Sequence, residues 1–222
     1  MSTPLVIAID GPSGSGKSST SRGVASKLGL SYLDTGSMYR AVTWYMLANN
    51  IDITNTSAVE QALPDAKIQV GTDPKAPEIW AGDTDVSGPI RGPEVTGAVS
   101  VISAIPAVRA KLVQIQQHVV STCDTGVVVE GRDIGTVVLP NATLKIYLTA
   151  DGSARATRRA TEQGVDPKAT AESLQARDIA DSTRTVSPLE KADDAIVVDS
   201  TDMTLEQVID HICELAVTRR DI

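Results

Sequence analysis

The sequence predicts an α/β fold built on a five-stranded parallel sheet with helices on both faces. Five short apolar runs alternate with helical segments, at residues 5–9, 30–33, 126–129, 144–148 and 195–198. Apolar runs of this length between helices are typical of buried parallel strands. The length of 222 residues suits one such domain, which we place over residues 1–222.

The first apolar run leads directly into a phosphate-binding loop. Residues 11–18 match the pattern G-x-x-x-x-G-K-[ST] in full, and a plain Gly/Ser loop would not explain the Lys-Ser pair. Backbone N–H groups of the loop and the dipole of the next helix favour a polyphosphate. We therefore predict ATP here, with Lys17 at its β and γ phosphates and Ser18 on Mg²⁺. The predicted ATP-binding residues are Gly11, Pro12, Ser13, Gly14, Ser15, Gly16, Lys17, Ser18 and Ser19.

Composition limits the classes of partner. The chain has a net charge of −8 at pH 7 and a pI of about 4.8, so it repels nucleic acids and anionic membranes at long range. Four Tyr, two Trp and no Phe are too few for a base-stacking surface. Cys123 and Cys213 form no C-x-x-C pair, as expected of packing thiols in a reducing compartment. We expect a cytoplasmic monomer that binds neither a nucleic acid polymer nor a membrane.

The stretch from residue 61 to 99 differs from the rest of the chain. Several prolines and glycines there separate short alternating segments such as 68–70 and 78–80. This pattern predicts a small insert of antiparallel strands on the substrate side, which leaves a core of residues 1–60 and 100–222.

The last helix begins with a capping box formed by Thr204 and Gln207. Its spacing places five apolar residues on one face. They are Leu205, Val208, Ile209, Ile212 and Ala216.

Arginines dominate the remaining charged motifs. Arg155, Arg158 and Arg159 lie three and four residues apart on a predicted helix, where like charges repel unless an anion is near. A solvated basic face would explain them. The functional interpretation is a mobile lid, about residues 152–170, that brings arginines to the transferring phosphates.

A second arginine set lies on a predicted helix over residues 171–182. Arg177, Asp181 and Arg184 share one side of it if the helix continues that far. Arg177 and Asp181 alone fit an ordinary i,i+4 ion pair. Two guanidiniums around one carboxylate also suit a phosphorylated sugar. The arginines would bind its phosphate oxygens, and the carboxylate would accept a hydrogen bond from a sugar hydroxyl.

A third cluster follows the apolar run 126–129. Its sequence, Glu-Gly-Arg-Asp-Ile-Gly over residues 130–135, stands at the carboxyl end of a strand, where open parallel sheets bind ligands. A charged, glycine-rich turn is a common feature without function. In a phosphate-loop enzyme, however, Glu130 is placed to hold water on Mg²⁺.

Together these segments resemble the bacterial cytidylate kinases, which phosphorylate CMP and dCMP. The resemblance covers nearly all 222 residues. It rests on IDGPSGSGKS at 9–18, YLDTGSMYR at 32–40, VSGPIR at 86–91, GRDIGTVVLP at 131–140, KIYLTA at 145–150 and RDxxDSxR at 177–184. It implies a P-loop nucleoside-monophosphate kinase fold with a helical lid and a small antiparallel inserted subdomain that binds the monophosphate.

The resemblance also implies roles for individual residues. The implied CMP-binding residues are Arg40, Arg132, Arg177 and Arg184 at the phosphate, Asp181 at the sugar, Ser100, Arg109 and Asp133 at the base, and Thr35. A carboxylate at Asp133 accepts a hydrogen bond from the cytosine amino group, whereas uracil presents an acceptor at that edge. Thr35 stands where serine is frequent and keeps the hydroxyl. Glu130 stands where aspartate is frequent and reaches further by one methylene.

We expect in-line transfer of the γ-phosphoryl group of Mg-ATP to CMP or dCMP, which gives ADP and CDP or dCDP. The expected catalytic residues are Lys17, Arg132, Asp133, Arg155 and Arg159. One alternative is a P-loop kinase for another small acceptor, such as UMP, AMP or a hydroxy acid. Another is a nucleotide-binding switch, but the chain lacks an N-K-x-D motif and matches D-x-x-G only at 85–88 in the insert.

Overall fold

The computed structural model describes residues 4–163 and 166–220, which form two compact units. The first unit takes the described residues of Met1–Tyr32 and Cys123–Ile222, and the second takes Leu33–Thr122. The second unit is broader than the predicted insert of residues 61–99, because helices on both sides of that insert belong to it. The division into core, insert and lid stays a prediction.

The large sheet confirms the predicted strands. They are β1 Leu5–Asp10, β2 Ser31–Asp34, β6 Gly126–Gly131, β7 Leu144–Thr149 and β8 Ile196–Asp199. Their order is β2-β6-β1-β7-β8, so β1 lies at the centre of a five-stranded parallel sheet. Because β1 pairs in parallel with both β6 and β7, the loops that follow these strands leave the same edge.

Both faces of this sheet are covered. On one face Ile7, Val128 and Ile146 join a core with two helices, α1 Lys17–Leu28 and α8 Leu205–Arg220. Alternate residues of a strand point to opposite faces, and Ala8 and Val127 are also fully buried. Burial on both sides explains why the strands are continuous apolar runs.

The capping box of α8 forms as predicted. The Thr204 backbone N–H donates to Gln207 Oε1 at 2.8 Å, and the Gln207 N–H donates to Thr204 Oγ1 at 3.2 Å. Val208, Ile212 and Ala216 are buried. Of the other two residues on the predicted apolar face, Ile209 is half-buried and Leu205, in the first turn of α8, is 49% exposed.

The second unit contains the predicted antiparallel strands between helices. Its strands are β3 Ile68–Val70, β4 Ile79–Ala81 and β5 Thr84–Asp85, paired in the order β3-β4-β5. Its helices are α2 Thr35–Ala48, α3 Thr56–Ala62, α4 Pro93–Ser103 and α5 Pro106–Ser121. Helix α2 packs against β3, β4 and α4, which gives the short sheet a covered face.

The arginine-bearing helices belong to the first unit. They are α6 Gly152–Gln163 and α7 Pro167–Thr183, which pack together. The predicted lid of about residues 152–170 covers α6 and the start of α7, and its residues 164 and 165 lie outside the described residues. Within the described ranges, no single helix is long and apolar enough to cross a membrane; α4 and α5 meet that test only as a pair bent by 99°.

Candidate active site

The phosphate loop connects β1 to α1 and depends on its glycines. At Gly11 a Cβ atom would lie 2.1 Å from the carbonyl oxygen of Leu148, so only glycine fits. Gly16 has φ of +86° directly before α1, a left-handed conformation that glycine adopts without strain. The loop therefore presents the N-terminus of α1, as the pattern predicts.

Lys17 is buried inside this loop. Its Nζ donates to the carbonyl oxygen of Pro12 at 2.6 Å and to Ser15 Oγ at 3.3 Å. Burial holds the pKa of Lys17 well below its usual value, and the nearby charge of Arg132 lowers it further. A bound polyphosphate would counter both effects, so the site is electrostatically suited to an anion.

Ser18 meets Glu130 at the end of β6. The Ser18 hydroxyl donates to Glu130 Oε2 at 3.0 Å, and the Tyr32 hydroxyl donates to Glu130 Oε1. A hydroxyl and a carboxylate are hard oxygen ligands of the kind that Mg²⁺ prefers. Over residues 4–163 and 166–220, no three His, Cys, Asp or Glu side chains cluster as a metal site. Ser18 and Glu130 are therefore the residues that could hold a divalent ion here.

Asp10, the last residue of β1, fixes the turn that follows β6. Its Oδ1 accepts from the Ile134 N–H and its Oδ2 from the Gly135 N–H, each at 2.8 Å. These amides open a π-helical turn, Ile134–Val138, directly after Arg132 and Asp133. Burial raises the pKa of Asp10 to about 6, although the two hydrogen bonds oppose the shift.

Arg132 joins the phosphate loop to α7. Its Nη2 donates to Ser13 Oγ at 2.9 Å, and its Nε donates to Asp181 Oδ2 at 2.8 Å. Arg184 approaches Asp181 and Asp133, each at 3.8 Å. The four predicted substrate residues Arg132, Asp133, Asp181 and Arg184 therefore form one network of alternating charge.

The predicted grouping on α7 needs one correction. Helix α7 ends at Thr183, so Arg184 lies beyond the helix rather than on its face. Arg184 Nε donates to the Ser187 carbonyl in the following turn, and its guanidinium still lies 3.8 Å from both Asp181 and Asp133.

Arg177 adds a further cation to this network. Burial lowers the pKa of Arg177, and the nearby charges of Arg132 and Arg159 lower it too. Lys17 experiences the same effect from Arg132. Buried cations that oppose one another's charge are stabilised by an anion, which is what a phosphate group supplies.

Two of the arginines of α6, Arg155 and Arg158, have different surroundings. Arg155 Nη1 donates to the Ser13 carbonyl at 2.9 Å and also to Asp178 Oδ2. Arg158 instead donates to the hydroxyl and carbonyl of Ser200, after β8. The sequence spacing alone did not separate Arg155, which contacts the phosphate loop, from Arg158, which holds a strand end.

The second unit holds the other predicted substrate residues. Arg40 Nη1 donates to Thr96 Oγ1 at 2.9 Å and to the Ile90 carbonyl at 3.2 Å. Arg109 is 3% exposed and its guanidinium carbon lies 5.2 Å from the centre of the Tyr39 ring. Of the other two, Ser100 is half-buried on α4, and Thr35 is buried at the start of α2.

Comparison with known proteins relates this geometry to a family. A family model described as cytidylate kinase matches residues 7–218. The chain is 54% identical over 217 residues to a cytidylate kinase of Streptomyces avermitilis, covering 97% of this chain and 94% of that one. It is 49% identical over 228 residues to a cytidylate kinase of Mycobacterium avium, covering 100% and 99%. The chain belongs to the cytidylate kinase family.

Membership of the cytidylate kinase family confirms the resemblance inferred from the motifs. A solved structure of an uncharacterized protein from Eubacterium ventriosum also matches, with a TM-score of 0.53 and 11% identity over 97% of this chain and 99% of that chain. At that identity the match shows a shared fold alone.

Three residues of this cytidylate kinase family member have contacts that the sequence analysis missed. Asp10 and Tyr32 lie inside quoted motifs, but only the fold shows their bonds to the Ile134 turn and to Glu130. Asp178 follows Arg177 in the RDxxDSxR motif and bonds to the phosphate loop. An acid at the end of a buried strand was a usable signal for Asp10; Asp178 had none.

Proposed function

We propose that the protein transfers the γ-phosphoryl group of ATP to CMP or dCMP. The observation that carries the proposal is the position of Arg132, which hydrogen bonds to Ser13 of the phosphate loop and to Asp181 of α7. One guanidinium thus touches both the predicted donor site and the predicted acceptor site. The family supports the same activity, since the relatives named above are cytidylate kinases.

The donor binds at the loop Gly11–Ser19, where backbone amides and Lys17 hold its phosphates. Ser18, and Glu130 through water, would hold Mg²⁺ with the nucleotide. The ion supplies charge neutralisation at the transferring phosphates when it is bound. Tyr32 keeps Glu130 oriented for this task by its hydrogen bond to Oε1.

The acceptor phosphate binds among arginines, and the nucleoside is held by carboxylates. The residues proposed to bind the phosphate are Arg40, Arg132, Arg177 and Arg184. Asp181 accepts a hydrogen bond from a sugar hydroxyl. Asp133 accepts a hydrogen bond from the cytosine amino group. Ser100 and Arg109 are the further proposed base contacts, and Thr35 is a proposed substrate contact. Asp133 and Asp181 are already ion-paired with arginines, so their lone pairs are held in place before CMP arrives.

The reaction needs alignment and charge neutralisation more than proton transfer. An oxygen of the CMP phosphate bonds to the γ phosphorus while the bond to the β-bridging oxygen breaks, leaving ADP and CDP. The attacking oxygen is already anionic, so no strong general base is required. Lys17, Arg132, Arg155 and Arg159 neutralise the charge that the transition state spreads over the phosphoryl oxygens.

An acceptor screen tests the proposal. With ATP as donor, CMP, dCMP, UMP, AMP and hydroxy acids are compared by ADP release, and CMP or dCMP is expected to have the highest kcat/KM. UMP should be at least about tenfold poorer, because facing acceptors at Asp133 leave a buried group unpaired. Lys17→Ala serves as the inactive control, and Lys27→Ala, on the exposed side of α1, as the matched active one. A better acceptor than CMP and dCMP would contradict the proposal.

The monomeric state and the cytoplasmic location stay predictions from the sequence. Size-exclusion chromatography with light scattering measures the first.

A further inference from the structure

We propose that Asp178 is a positioning residue for Arg155, and that its carboxylate holds this guanidinium against the phosphate loop at Ser13. The inference deepens the proposed function and rests on it, because it takes Arg155 to act on the transferring phosphates. Asp178 was assigned no role by its sequence, and its contacts connect α6, α7 and the loop after β1.

The geometry is a closed ring of hydrogen bonds around Ser13. The Ser13 backbone N–H donates to Asp178 Oδ1 at 2.9 Å. Arg155 Nη1 donates both to Asp178 Oδ2 and to the Ser13 carbonyl, the latter at 2.9 Å. Both main-chain polar groups of Ser13 are thus hydrogen bonded, the N–H to Asp178 and the carbonyl to Arg155. The ring fixes Arg155 relative to the loop that binds ATP.

Each carboxylate oxygen has its own donor, so the acid is specifically required. An amide side chain has only one acceptor oxygen, so in the same orientation its NH₂ group would face one of the two donors, Ser13 N–H or Arg155 Nη1. The side chains of Arg155 and Asp178 are only 16% and 19% exposed. At that degree of burial, removing one partner leaves the other charge poorly compensated.

Arg155 has a third hydrogen-bond acceptor besides Ser13 and Asp178. Its Nε donates to the Ala150 carbonyl at 3.2 Å, at the end of β7. Arg158, one turn later, donates to the hydroxyl and carbonyl of Ser200, and its charge contributes to the lowered pKa of Asp199. Arg155 hydrogen bonds both to the phosphate loop and to a carboxylate.

A double-mutant cycle tests whether Asp178 acts through Arg155. Asp178→Asn should lower kcat by about tenfold or more, and Arg155→Ala by about a hundredfold, because misplaced charge no longer stabilises the transition state. The double variant should match Arg155→Ala within about twofold, since there is then no guanidinium to position. A merely destabilised enzyme behaves differently: a lost folded fraction multiplies kcat by the same factor in both backgrounds.

The control variant is Asp210→Asn, which breaks the exposed Lys27–Asp210 ion pair of the same unit and should leave kcat unchanged. Multiplicative losses in the double variant would overturn the inference while leaving Arg155 its role. A lower KM for ATP in Asp178→Asn with unchanged kcat would also overturn it, because Asp178 would then compete with the nucleotide.

Two further results keep the test decisive. If Asp178→Asn does not fold, Asp178→Glu keeps the charge and moves it by one methylene, and kcat is expected to fall without loss of the folded state. Unchanged kcat in that variant would overturn the inference. Wild-type kcat in Arg155→Ala would remove the role of Arg155 and this inference with it, whereas the acceptor screen judges the kinase activity separately.

Discussion

Asp10 shows how burial and hydrogen bonding compete at one residue. Burial raises its pKa from 3.8 to about 6, although the N–H groups of Gly135 and Ile134 stabilise the ionised form. A carboxyl group with a raised folded-state pKa favours the folded state below its unfolded pKa of 3.8. That advantage is lost as the pH rises through about 6.

The stability difference between wild type and Asp10→Asn should therefore depend on pH. From about pH 4 to about pH 6.5 the wild type should lose up to about 3 kcal/mol relative to the variant, because only Asp10 ionises. Above that range the difference should be constant. Chemical denaturation at several pH values measures it, and the other carboxyl groups cancel because both proteins carry them. A wild type that gains stability relative to Asp10→Asn as the pH rises would contradict the assigned pKa shift.

Single residues differ in how far their roles can be predicted from sequence. The expected roles of Lys17 and Ser18 follow from a pattern whose chemistry is local, since the loop, the helix start and the expected phosphate contacts lie within eight residues. Ile134, a partner of Asp10, and Ser13, a partner of Asp178, are 124 and 165 residues away in the chain. Such pairs depend on how strands and helices pack, which spacing along one element does not encode.

At the level of elements, the start of α8 provides a local test of helix capping. Thr204 and Gln207 satisfy each other's backbone N–H groups on an exposed turn. Thr204→Ala should lower the free energy of unfolding by about 1 kcal/mol, because one helix N–H loses its acceptor. Thr204→Ser keeps the hydroxyl and should stay near wild type. Thermal unfolding of both variants measures the effect, and equal midpoints would show that the cap contributes nothing.

Strands of the large sheet were predictable because both of their faces are buried. Ile7 and Val128 are fully buried on one face of the sheet, and Ala8 is fully buried on the other. The strands therefore lack polar alternation and form continuous apolar runs. The second unit was less predictable as a whole. Its short strands β3 to β5 were recognisable, but the inclusion of α2, α4 and α5 depends on long-range packing that periodicity does not show.

For the whole molecule, the contrast is between global and local charge. The net charge of −8 repels anionic substrates at a distance. Within the first unit, however, burial lowers the pKa of Lys17 and of Arg177, and the nearby charge of Arg132 lowers both further. Attraction to a phosphate is therefore short-ranged, and it comes from desolvated cations rather than from the overall field.

This contrast predicts that ligands stabilise the folded protein through their phosphate. CMP at about a hundredfold its Kd should add about 2.7 kcal/mol of stability by mass action, raising the midpoint of thermal unfolding by several degrees. Cytidine at the same concentration should give a much smaller shift, since it keeps the base but leaves the arginines without an anion. Differential scanning fluorimetry compares the two. Equal shifts would mean that base contacts, not the buried cations, dominate binding.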